Sequence, residues 1–175
     1  DFSKYLEQFI SERFVNFEIV TDQAMGLKIP ISAVTEKSFY LIPADYIAQG
    51  GDSSTPGFLK EVYDANGTST VFVPTNIYSS DDEYYYVDMG EGAEFKAGDY
   101  VVKPESTERY QIGRTASLKG VYNINKGYTV FKQIEIKDSN NEYYTVTRGM
   151  KYGLSVYDHI VLDASLVYEG QILYQ

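Results

Sequence analysis

The chain has no cysteine, no tryptophan and a single histidine. Without cysteine there are no disulfides, thiolate metal sites or cysteine nucleophiles. The redox compartment stays open, because an exported protein can also do without the residue. One histidine, His159, rules out a cluster of imidazole ligands. No apolar run approaches the roughly 18 residues a membrane helix needs. The opening DFSKYLEQFI has no initiator methionine, basic stretch or cleavage-type signal. It reads as the start of an excised or processed fragment whose signal or anchor lies elsewhere. Basic residues are scarce too: 15 Lys and Arg stand against 25 Asp and Glu, a net charge of −10. Such a surface repels phosphate backbones and anionic headgroups, which argues against nucleic acid and membrane-surface partners.

The 175 residues include 18 Tyr and 9 Phe. Tyrosine suits half-buried sheet faces, so the composition leans towards β structure. Sliding the chain over itself reveals an internal repeat. At an offset of 59, residues 58–106 fall on 117–165 without a gap, and 18 of 49 pairs are identical. Ordinary composition would give about 3. Each copy reads as the same series of strands. LKEVY and LKGVY lead through the turns DANG and NINKG into TVFVPTNI and TVFKQIEI, which alternate as half-buried strands do. The polar turns SSDDE and KDSNNE then lead to YYYVD and YYTVT, and KAGDYVV and SVYDHIVL close the copies.

The amino-terminal third is different. Phe2, Tyr5, Leu6, Phe9 and Ile10 follow helical spacing, and RFVNFEIV alternates as a strand. LKIPISAV and FYLIPADYI share the form Ile-Pro-x-x-x-apolar, in which proline marks a strand edge or end. GGDSSTPG is the clearest loop. The expected fold is mainly β, a tandem repeat of two small antiparallel β units, barrel- or roll-like, with one short N-terminal helix. The expected divisions are residues 1–57, 58–116 and 117–175. The first is read as the tail of a β-barrel domain that residues preceding the fragment would complete.

No residue stands out as catalytic, cofactor-binding or metal-ligating. His159 occupies the position of Tyr100 in the other copy, inside a strand, and reads as structural. The serines lack a G-x-S-x-G context. Asp81, Asp82, Glu83, Asp138 and Glu142 have no EF-hand spacing and read as solvated turns. Asn66-Gly67-Thr68 fits a glycosylation pattern, but a turn's need for glycine accounts for it. Asp99 and Asp158 are expected to cap equivalent turns by accepting backbone N–H bonds.

Several of these segments resemble the HlyD-like family of periplasmic adaptors, or membrane fusion proteins. LKIPISAV is similar to that family's "vPxsAl" segment, and GVYNINKGYTVFKQIEI to its hairpin. YYTVTRGMKYGLSVYDHIVL resembles its closing element, with Asp158 at the aspartate position; FKAGDYVV matches through Asp99. The second copy departs in having Tyr157 where the family has glycine. The resemblance implies a carboxy-terminal, membrane-proximal part of an envelope adaptor, outside the cytoplasm. Its partners would be proteins of a transport complex, with self-association among them, and it would need no cofactor. Membrane contact would run only through an anchor absent from the fragment. The rival readings are a carbohydrate-binding or adhesion module, and an accessory domain of a hydrolase.

Overall fold

The computed structural model describes residues 26–51 and 54–173. The N-terminal helix expected from Phe2 to Ile10 and the strand RFVNFEIV lie outside the described residues. The rest is mainly β: among the described residues there are thirteen short strands, paired antiparallel within each unit, and three single 3-10 turns. Two compact units emerge. Unit 2 is the continuous stretch Ser38–Ser117; unit 1 combines the described residues before it, 26–37, with 118–173.

In unit 2, β2 (Thr35–Pro43) pairs through Phe39–Pro43 with β7 (Tyr84–Asp88), which also pairs with β6 (Ile77–Ser80). A second sheet is built on β4 (Pro56–Asp64). It is flanked by β3 (Ile47–Gln49), by β5 (Gly67–Pro74), and by β8 (Tyr100–Val102), which carries β9 (Arg109–Gln111). Unit 1 follows the same plan. β1 (Leu27–Pro30) pairs with β13 (Tyr143–Val146), which pairs with β12 (Ile136–Ser139). β10 (Thr115–Asn125) and β11 (Tyr128–Gln133) form the hairpin. The stretch GGDSSTPG lies within unit 2, where it leads from β3 into β4.

The repeat is therefore nested, not tandem. β1 is the leading strand of the second copy, yet it precedes the whole of the first. Both leading strands end at a proline, which has no N–H to donate and terminates the ladder. Each then enters a 3-10 turn, Ile31–Ala33 or Ala44–Tyr46. Ile31 N–H donates to Glu142 O at 3.1 Å, and Ala44 N–H to Glu83 O at 2.8 Å. Glu142 and Glu83 are repeat partners, so the two leading strands dock alike.

The strand order expected for the repeat holds through β13, but SVYDHIVL makes only a single bridge, Asn123↔Ile160, where the first copy has the strand β8, and the ungapped match does not extend to the first strand. Gly57 pairs with Pro74, and Gly120 with Gln133. Pro74 and Gln133 are matched by the offset of 59; Gly57 and Gly120 are four residues out of that register. The reason is a longer hairpin in unit 2, where pairing runs on to Asp64 and Gly67. In unit 1 it stops at Asn125 and Tyr128, around Lys126 (φ 50°) and Gly127 (φ 82°), the positive-φ pair of a type I′ turn. The LKxVY identities thus sit at different structural positions. Downstream the match is faithful down to a bulge, which breaks register between Ile77 and Ser79 and again between Ile136 and Asp138.

Each unit has its own core. Ile42, Tyr46, Phe58, Val87, Phe95 and Val101 in unit 2 correspond to Ile29, Ala33, Val121, Val146, Leu154 and Ile160 in unit 1. Larger side chains at Tyr46, Phe58 and Phe95 answer smaller ones at Ala33, Val121 and Leu154. One topology is thus filled by two different packings, as cores permit when total volume is met.

Candidate functional site

The features the sequence singled out are turns, and the structure shows what each side chain does there. Before β8, Asp99 Oδ2 accepts the N–H of Lys96 at 2.9 Å, and before the Ile160 bridge Asp158 Oδ2 accepts that of Ser155 at 2.7 Å. In return the N–H of each aspartate donates to the carbonyl of Lys96 or Ser155. The expected capping role is present in both copies. Asp99 also forms an ion pair with Lys60 at 2.9 Å. Partial burial pushes its carboxyl up, but the Lys60 ammonium and the Lys96 N–H outweigh this and hold it below 3.8. A lowered carboxyl contributes stability above its ordinary value and loses it as pH falls through the lowered one. Asp99→Asn keeps an acceptor for Lys96 but removes the charge. We expect its acid unfolding limb to be shallower than the wild type's in a urea series from pH 5 to 2; an unchanged limb would exclude this role for Asp99.

The residue before each aspartate has positive φ: Gly98 at 93° and Tyr157 at 75°. Glycine adopts that region freely, whereas an L side chain costs about 1–2 kcal/mol. Tyr157 is 85% exposed, so burial does not offset the strain. After allowing for the freedom glycine gains in the unfolded chain, Tyr157→Gly should stabilise the protein by roughly 0.5–1 kcal/mol. A lower urea midpoint for this variant would contradict the account.

The acidic turns are built for backbone capping. Asp81 Oδ1 accepts the N–H groups of Glu83 and Tyr84 at 2.8 and 2.7 Å, and these bonds hold its carboxyl below its ordinary value. Its repeat partner Asn140 accepts from Glu142 and Tyr143 at the same distances. A neutral amide does the same work, so the turn requires an acceptor and no charge. Asp82, Glu83, Asp138 and Glu142 are exposed around these turns. Among the described residues no group of three or more His, Asp or Glu is placed to hold a metal. His159, expected inside a strand, lies outside the strands and next to the single bridge at Ile160; it is exposed, and its carbonyl accepts Ile124 N–H. Asn66 sits in the β4–β5 turn and donates its N–H to Asp64 Oδ1 at 2.7 Å. On the surface of unit 2, Arg109 stacks 4.0 Å from the Tyr100 ring centroid and bonds both Glu61 and Tyr63.

One arrangement was missed by sequence reasoning. In unit 1 the segment after the Ile160 bridge returns to the outer edge of β11 and wraps Thr129, which is fully buried. Thr129 N–H donates to Gln171 O at 3.1 Å, and Gly170 N–H to Thr129 O at 2.8 Å. The Thr129 hydroxyl donates to Tyr168 O at 2.5 Å and accepts Gln171 N–H at 3.0 Å. Phe131 N–H donates to Glu169 Oε2, and Tyr128 bridges to Ile172. The signal was available. Thr70 and Thr129 are identical across the repeat, and a threonine recurring in a strand's edge register is a candidate for a backbone contact. In unit 2, Thr70 is exposed. It lines a shallow depression of about 690 Å³ with Leu59, Val102, Lys103, Ser106 and Thr107.

Compared with protein-family models, curated proteins and solved structures, the chain has no match. Among the described residues no helix is long and apolar enough to cross a membrane.

Proposed function

We propose that the chain is a non-catalytic adaptor or scaffold domain of an envelope-associated efflux or secretion complex, of the HlyD-like kind. One observation carries the reading. LKIPISAV and YYTVTRGMKYGLSVYDHIVL, each similar to a segment of the adaptor family, belong to one β unit. β1 pairs with β13 from Leu27↔Val146 to Pro30↔Tyr143, although all of unit 2 separates them in the chain. Ser32 Oγ donates to Leu162 O at 2.7 Å, tying the first segment to the end of the second. Asp81, Asn140, Asp99 and Asp158 cap turns and Arg109 pairs across strands with Glu61, which supports a scaffold role. The reading places the domain outside the cytoplasm, with proteins of the complex as partners.

The test is genetic. Deleting residues 26–173 from the full-length protein in its host should abolish export of the complex's cargo while the partner transporter remains in the membrane. Unchanged export, or saturable sugar binding on a glycan array, would overturn the reading.

A further inference from the structure

We propose that the outer edge of β5, centred on Thr70, is a docking seat for an extended acidic–glycine segment of a partner protein. The occupant would sit in unit 2 as Tyr168–Leu173 sits in unit 1. This inference rests on comparing the two units and is independent of the complex the domain serves.

The seat is defined by its filled counterpart. Repeat partners of Thr129 and Phe131 are Thr70 and Phe72, and the pairing of β5 with β4 from Gly57↔Pro74 onwards repeats that of β11 with β10 from Gly120↔Gln133. The same alternation turns the backbone groups of Thr68, Thr70 and Phe72 away from β4. Among the described residues β5 pairs with β4 alone. In unit 1 the chain after the Ile160 bridge fills the seat. In unit 2 that stretch folds back as β9, pairing Val102 with Arg109, and among the described residues the seat is left open. Phe131 is 1% exposed beneath the tail, whereas Phe72 is only half-buried and Val71 is 47% exposed.

The filled seat also specifies the occupant. Glu169 supplies a carboxylate to the Phe131 N–H, so the open Phe72 N–H calls for an acidic side chain. Gly170 turns at φ 75°, directly over Thr129 O, where an L side chain is strained. The edge itself is Thr68-Ser69-Thr70, polar and short, so recognition runs through main-chain hydrogen bonds. This is strand addition to a free sheet edge.

The probe is a synthetic peptide of residues 166–175, LVYEGQILYQ, titrated to millimolar concentration into the whole chain with amide exchange read by NMR. We expect saturable binding, with exchange slowed at least tenfold at Thr68, Thr70 and Phe72. Thr70→Val should weaken binding about tenfold, and so should a peptide with Glu169→Ala. Methylating the Gly170 nitrogen should abolish binding while leaving the protein itself untouched. No slowing at β5 would overturn the proposal. So would changes confined to Thr129, which would mean exchange with the protein's own tail. Protection of β5 that rises with protein concentration in the absence of peptide would mark pairing between two copies, and would overturn it equally.

Discussion

Phe131→Ala is expected to destabilise unit 1 by about 3–5 kcal/mol, the range for removing a buried phenylalanine. The ring is almost wholly enclosed, meets Tyr122 edge-on at 6.1 Å, and lies beneath a tail whose Glu169 accepts its own N–H. Its loss opens a cavity and loosens the tail together. Phe72→Ala, at the matching position, should cost clearly less, because that ring is half-buried and no tail covers it among the described residues. Amide exchange across a urea series separates the two effects. Val121 and Val146 report on unit 1, and Phe58 and Val101 on unit 2. Equal losses in the two variants would show that the tail contributes nothing to the packing of Phe131.

Gly120→Ala is expected to cost about 1–3 kcal/mol, the range overpacking typically exacts. A Cβ there would stand 2.3 Å from Phe131 Cζ and 2.4 Å from Lys132 O. The ring can swing aside, but the carbonyl belongs to the β10–β11 ladder and cannot. Gly57 meets the same obstacles in unit 2, with Val73 O at 2.2 Å and the Phe72 ring at 2.8 Å, so Gly57→Ala should behave alike. Gly113→Ala is the control: nothing lies within 4 Å of its Cβ position, and its cost should stay within about 0.5 kcal/mol. Thermal unfolding of the three variants decides. Substitution of Gly120 without loss would mean that β10 and β11 are not held this close.

The turns were the most legible part of the sequence, because their chemistry is local. Asp99 and Asp158 cap as expected, and Asp81 and Asn140 align through their shared function despite different charge. The strands were legible as strands but not in register. Side chains alternate with a period of two, so a slip of four residues returns every side chain to its original face. LKEVY and LKGVY satisfied the pattern equally well in either register, and only the hydrogen bonds distinguish them. The chance identities made the wrong register look right. The nested order was hinted at by the Ile-Pro sequences of β1 and β2, both of which lie ahead of both hairpins. Reading it correctly required knowing that Leu27 meets Val146, a pairing that no local rule specifies. The seat at Thr70 was illegible for a related reason: whether an edge is covered depends on where a distant segment returns.

The nesting also sets an order of events as the chain is made. Unit 2 is contiguous, so its core can close once the ribosome has delivered Ile112. Unit 1 must hold Leu27 and Ile29 unpaired until Tyr144 and Val146 emerge. Lengthening a flexible loop is cheap at equilibrium, about 0.6 kcal/mol per doubling, but distant pairings slow the search for the native state. A folded unit 2 shortens that search by gathering the intervening residues into a compact body. Damage to unit 2 would thus reappear as slow maturation of unit 1, with an apolar strand left waiting for its partner.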